Sequence, residues 1–145
     1  MGDARQYEEL YPLVKRLTKR YRMPIKVDCS LVPMICFHRP DRRALEKLGV
    51  FGCEGGNILA SMRPDGAVSG CSFDRARECD ILELKERWDD EDAFPAYRGW
   101  TDHAPEPCAS CEYLEICKGG CRVVSGFLTG DPYSPDPECP FCHPG

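Results

Sequence analysis

Near the start of the chain, apolar residues recur at steps of three and four. Tyr7, Leu10, Val14, Leu17 and Tyr21 fall on one face of a helix. Pro12 would sit in its first turn or kink it. Lys15, Arg16, Lys19, Arg20 and Arg22 gather toward its C-terminal end, where cations complement the helix dipole, and read as a solvated face. After Pro24 the period shortens to two: Ile25, Val27 and Cys29 alternate with Lys26 and Asp28, the pattern of a short strand. One strand cannot satisfy its ladder alone, so helix and strand together read as a unit of a larger alternating α/β array.

Further along, Asp41 is placed to cap a short helix carrying Ala44, Leu45 and Leu48, with Gly49 as its C′ residue. A run through Ile58, Ala60 and Met62 meets Pro64-Asp65-Gly66, and a second run ends at Cys71, which predicts a β-hairpin around a proline and Asp-Gly turn. Asp80 is expected to cap a helix through Leu82, Leu84 and Trp88, with Asp89, Asp90, Glu91 and Asp92 ending or following it as solvated surface. From Pro105 onward prolines, glycines and cysteines dominate, apart from a helical stretch from Arg122 to Leu128. No repeat of solenoid period appears.

Composition changes this picture chiefly through cysteine. The chain has 145 residues, 11 of them Cys, an odd number, and a net charge of −5. The segment from Met1 to Tyr11 is polar, without the apolar stretch of a secretory leader, and no apolar run reaches membrane-spanning length. A cytoplasmic location is therefore expected, where thiols serve metals or catalysis more often than disulfides. The acidic balance provides no electrostatic footprint for nucleic acid or an anionic membrane.

Seven cysteines are patterned. Cys53 and Cys71 flank the hairpin, whose turn needs Gly66. Cys108, Cys111, Cys117 and Cys121 follow, and then Cys139. Two residues between thiols suit a tight metal-binding loop, and the longer steps suit a wider centre such as an iron–sulfur cluster. Structural zinc normally takes two close pairs; Cys108 and Cys111 form one, and Cys117 and Cys121 are too widely spaced to mirror it. Spacing alone leaves iron–sulfur, zinc and disulfides open, preferred in that order.

The pattern Cys53-x12-Gly66-x4-Cys71, Cys108-x2-Cys111-x5-Cys117-x3-Cys121, Cys139 resembles the seven-cysteine pattern of the SPASM domain. That domain is the auxiliary-cluster module of radical S-adenosylmethionine enzymes, including sulfatase-maturating enzymes, pyrroloquinoline quinone and mycofactocin maturases, and sactipeptide synthases. Gly52-Cys53-Glu54-Gly55-Gly56, Pro64-Asp65-Gly66 and Cys117-Lys118-Gly119-Gly120-Cys121-Arg122 are similar to that family as well. The resemblance implies an α+β fold: a small cysteine-rich domain over 51–145, with a hairpin and short helices around two metal clusters. Before it, residues 1–50 would hold the helix and strand left from a partial (β/α) barrel and a linking helix.

It further implies two [4Fe-4S] clusters. Cys108, Cys111, Cys117 and Cys139 would bind the distal one, and Cys53, Cys71 and Cys121 the proximal one, so that Cys117 and Cys121 serve different centres. A fourth proximal ligand is unassigned: Cys29 and Cys36 are candidates, ahead of Cys79 and Cys142, or that iron is left open. Gly119 and Gly120 would bring backbone amides close to cluster sulfurs, and Lys118 and Arg122 would be favourable cationic neighbours. The implied partners are a radical core in the same or a separate chain, a peptide or small cofactor-precursor substrate, and an electron donor such as flavodoxin or ferredoxin.

The three-cysteine loop that radical S-adenosylmethionine chemistry requires does not occur; Cys117 and Cys121 have its first spacing, but Val124 stands where the third thiol belongs. No S-adenosylmethionine site and no catalysis by this chain alone are expected. Cys139-Pro140-Phe141-Cys142-His143 matches the attachment motif of c-type haem, but such attachment would need export and would consume Cys139. His38, His103 and His143 show no catalytic arrangement. Two further functions stand beside the auxiliary domain: a freestanding ferredoxin-like electron carrier, and a zinc-stabilised interaction module. Zinc could also occupy the sites in aerobically prepared protein.

Overall fold

The computed structural model describes residues 4–142, so that His143, in the haem-like motif, lies outside the described residues. Its elements are helices and one small antiparallel sheet, an α+β arrangement. Helix α1, Ala4–Tyr21, follows the predicted period: Tyr7, Leu10, Val14 and Leu17 are half-buried, while Tyr21 remains exposed. Pro12 lies well inside α1, past its first turn, on the exposed side.

The strand predicted over Ile25–Cys29 does not form. Residues 23–28 pair with no strand, which leaves their alternation without a ladder to serve. Val27 instead packs against the core, and the Asp28 carboxylate caps a 3-10 turn at Cys29–Leu31 by accepting from the Ser30 amide at 3.0 Å. Helix α2, Val32–Phe37, follows directly, with Pro33 in its first turn and every residue through Cys36 buried. The helix predicted after Asp41 is α3, Arg42–Lys47; Asp41 Oδ1 accepts from the Ala44 amide at 2.9 Å, and Gly49 leaves the helix at a φ of 65°.

The predicted hairpin is present. Strand β1, Ser61–Met62, pairs antiparallel with β2, Ala67–Ser69, in the register Ser61 to Ser69 and Met62 to Val68. The Asp65 carboxylate accepts from the Ala67 amide at 3.1 Å across the turn. A third strand, β3 at Cys79–Asp80, pairs with β2 and makes it the buried centre of the sheet. The helix expected after Asp80 accordingly begins later, as α4 at Leu84–Asp89 with Glu83 at its N-cap. Backbone pairing claims Asp80, and Leu82 projects into solvent. The acidic run follows α4 as expected, although Asp90 pairs with Arg87. A second 3-10 turn covers Trp100–His103, and helices α5, Leu114–Cys117, and α6, Arg122–Thr129, complete the chain.

Two apolar clusters hold these pieces. The larger joins Val32, Ile35, Cys36, Leu45 and Val50 to Tyr113, Ile116 and Cys117, with Leu10, Tyr11 and Val27 against it. It thus draws on both sides of position 50. The Tyr113 hydroxyl donates to the Pro40 carbonyl at 2.8 Å inside it. The smaller packs Val68, Cys79, Ala93 and Phe94 under the sheet. His38 is a packed imidazole: it stacks on Tyr11 and donates through Nε2 to the Tyr7 carbonyl at 2.7 Å.

Candidate metal centres

The thiols fall into two groups. Cys53, Cys71 and Cys121 line a cavity of about 820 Å3, together with Cys29. Cys108, Cys111, Cys117 and Cys139 line a second, tight one of about 20 Å3, with Cys36 and Gly119 in its wall. Cys117 and Cys121 are four positions apart in the chain and face different cavities. All 11 cysteines are free thiols.

Close backbone approach brings the first group together. The Tyr97 ring wedges between the loop after Cys53 and the loop before Cys71. An added Cβ would meet it at 2.6 Å from Gly55 and at 2.5 Å from Gly70, so only glycine fits at either position. The Tyr97 hydroxyl is anchored on Asp74 at 2.7 Å. One residue before Cys53, the Gly52 amide donates to the Ile116 carbonyl at 2.6 Å, which couples this loop to α5 and so to Cys117 of the second group.

The segment between Cys117 and Cys121 is held by Trp100 and Asp136, two residues outside the cysteine pattern. Gly119 and Gly120 both have positive φ, and a Cβ would strike Trp100 at 2.1 Å from the first and Asp136 at 2.3 Å from the second. Asp136, 1% exposed, accepts from the Cys121 amide at 2.8 Å, donates its own amide to the Gly119 carbonyl at 3.0 Å, and accepts the Cys139 amide on its carbonyl at 2.9 Å. One residue therefore positions a thiol of each group. Its trace in the sequence is Asp136-Pro137-Glu138-Cys139, in which Asp136 Oδ1 accepts from the Glu138 amide at 2.8 Å in an Asx turn.

Arg122 is 2% exposed. Its guanidinium lies 4.0 Å over the Trp100 ring and donates to the carbonyls of Pro132 and Ser134, at 3.0 Å each, and of Gly119. Among the described residues, no carboxylate pairs with it in a salt bridge. Burial lowers its pKa, while nearby Cys53, Asp136, Cys108 and Cys121 oppose that fall, so this one cation faces both thiol groups. Lys118, expected to act likewise, is paired with Glu54 at 2.5 Å and brings little net charge.

Backbone N–H groups aim at several of the sulfurs. The Cys29 thiol beside Cys53, together with the amides of Gly55 and Arg122, brings the Cys53 pKa down to about 6, and the Cys29 Sγ itself donates to Asp28 Oδ1 at 3.8 Å. Burial pushes Cys121 up, opposed by the amides of Val124 and Val123 at the start of α6. The Gly120 amide acts on Cys117, whose thiol is raised well above its ordinary value by its hydrogen bond to Cys36 and by burial. The Tyr113 amide acts on Cys111 against burial, and the amides of Phe141 and Cys142 act on Cys139. The Cys108 and Cys139 thiols beside Cys142 act on it in opposite directions, and the net effect raises its pKa to about 12. N–H donors on sulfur stabilise thiolates and metal-bound sulfur alike. Among the described residues, no three His, Cys, Asp or Glu side chains are arranged to hold a single ion.

Fold and site thus define a small cysteine-rich α+β module in which seven patterned thiols sort into two donor groups. No family model matches the chain. It is similar to curated proteins named PqqA peptide cyclase. That of Ruegeria pomeroyi is 43% identical over 63% of this chain and 25% of its own length. That of Granulibacter bethesdensis is 43% identical over 50% and 18%. That of Bradyrhizobium diazoefficiens is 31% identical over 96% of this chain and 36% of its own. The chain thus spans between 18% and 36% of these relatives. No described helix is long and apolar enough to cross a membrane.

Proposed function

We propose that this chain is the auxiliary-cluster domain, of SPASM type, of a radical S-adenosylmethionine peptide maturase akin to the PqqA peptide cyclases. Cys53, Cys71 and Cys121 bind one [4Fe-4S] cluster, and Cys108, Cys111, Cys117 and Cys139 bind the other. Residues 51–145 form the cluster module, and residues 1–50 belong with the end of a partial barrel. The clusters supply one-electron transfer between a radical core, in the same or a separate chain, and a donor such as flavodoxin or ferredoxin in the cytoplasm.

The observation that carries this reading is the sorting of the thiols: a chain that alternates Cys117 and Cys121 between two cavities matches the crossed ligand pattern of the resembled family. The donor set fits the chemistry, since all seven groups are thiols and backbone amides act on five of them, Cys53, Cys111, Cys117, Cys121 and Cys139. This chain's own residues hold the loops, bury Cys108 and Cys117 of the second group and set the local charge. The first cavity opens beside Leu59, Val124 and Phe73, the last of these 77% exposed, an apolar rim that suits a peptide substrate.

Anaerobic reconstitution should yield about eight irons and eight sulfides per chain. Uptake of zinc alone under those conditions would overturn the proposal. Cys111→Ala should remove the spectroscopic signal of the second centre and leave the first, and Cys71→Ala should do the reverse. Retention of both signals in either variant contradicts the ligand assignment.

A further inference from the structure

Four cysteines lie outside the seven-thiol pattern, and the fold distributes them unequally. Cys79 is in β3, 8% exposed, packed with Val68 and Phe94 under the sheet. Cys36, 2% exposed, lines the second cavity with Cys117, and Cys142 lies beside Cys108 and Cys139. Of the four, only Cys29 lines the first cavity.

We propose that Cys29 is the fourth thiolate of the first centre, closing the set begun by Cys53, Cys71 and Cys121. This rests on the cluster-binding reading above. Three thiols leave one iron of a four-iron cluster without a protein ligand, and the geometry supplies a fourth thiol on the same cavity wall as Cys53, Cys71 and Cys121. Its backbone is fixed, because Cys29 begins the 3-10 turn capped by Asp28 and runs straight into buried α2. The other anionic donors on this wall are engaged. Asp28 Oδ1 accepts from the Ser30 amide at 3.0 Å and the Ser30 hydroxyl at 2.7 Å, and Glu54 holds Lys118. Ser61 and Ser72 offer neutral hydroxyls, which bind iron less well than a thiolate. A ligand at position 29 also clamps the segment before position 50 onto the hairpin module.

The test compares the anaerobically reconstituted chain with its Cys29→Ala, Cys71→Ala and Cys36→Ala variants by iron content, by the EPR spectrum of the reduced state, and by iodoacetamide labelling under reductant. Cys29 is half-exposed, so in the wild type its alkylation should slow at least about tenfold on metal loading, because a metal-bound thiolate is no longer a free nucleophile. Cys29→Ala should alter or abolish the same EPR signal that Cys71→Ala removes. Where that signal survives, added imidazole should shift it in Cys29→Ala and not in the wild type. Cys36→Ala should leave it intact. Equal labelling of Cys29 in metal-free and loaded wild type overturns the assignment whether or not the variant folds. A Cys29→Ala spectrum matching wild type with and without imidazole overturns it as well. A wild type that takes up no iron overturns the underlying reading instead, and iron content alone reads that failure.

Discussion

Arg122 shows how much depends on a side chain whose neighbours are remote in sequence. Next to Cys121 it reads as a favourable cation, and the fold makes it more: a buried guanidinium under Trp100 that faces thiols of both groups. Its Nε has no hydrogen-bond partner among the described residues, so the group is held partly by stacking. If the centres are loaded as proposed, Arg122→Met should lower their reduction potentials, since a positive charge that favours the reduced state is lost, and a redox titration would measure this. Arg122→Lys should keep most of the potential and still cost stability, because an ammonium cannot reproduce the fork onto three carbonyls. Gly119 carries a different constraint. Gly119→Ala combines a positive φ with a contact of 2.1 Å to Trp100, and should destabilise the fold by about 3 kcal/mol in a denaturant titration.

Among the elements, those that carry their own local signal match their sequence most closely. Asp41 caps α3, and the hairpin turns on Pro64-Asp65-Gly66, because capping and turn chemistry act over three or four residues. Asp41→Ala should therefore cost about 1 kcal/mol, seen as a lowered denaturation midpoint with an unchanged slope. The misreadings are equally physical. Alternation at Ile25, Val27 and Cys29 is a statement about side chains, and without a partner strand the backbone takes a capped turn instead. Asp80 has a good capping side chain, yet pairing of β3 with β2 claims its backbone first. Helix α5, four residues long, has no period to detect; it exists because Ile116 and Cys117 are drawn into the core and the second thiol group.

Over the described residues the molecule has strands of two or three residues and two modest apolar clusters. Such a chain depends on cross-links between loops, and the thiol groups lie where those links would be. Under the proposed function, chelation or oxidative loss of metal should lower the melting temperature and raise hydrogen exchange in the Cys53–Cys71 and Cys108–Cys142 segments. Helices α1 and α2, which pack on each other's apolar faces near Leu10 and Ile35, should keep more of their protection. Equal loss of protection throughout would mean that the centres and the main core form one cooperative unit.

What the sequence determined by itself was local or periodic: the amphipathic helix, the capped helix, the turn, and a cysteine spacing with its resemblance. Each is legible because the physics that sets it acts within a few residues or repeats along the chain. Only the tertiary structure decided which thiols meet. Cys29 stands beside Cys53 rather than in a strand, Cys36 and Cys142 join the second group, and Asp136 reaches back to hold Cys121. Those contacts close over long stretches of chain, through glycines that admit Tyr97, Trp100 and Asp136 at van der Waals distance, and complementarity of that kind has no period for a sequence to display.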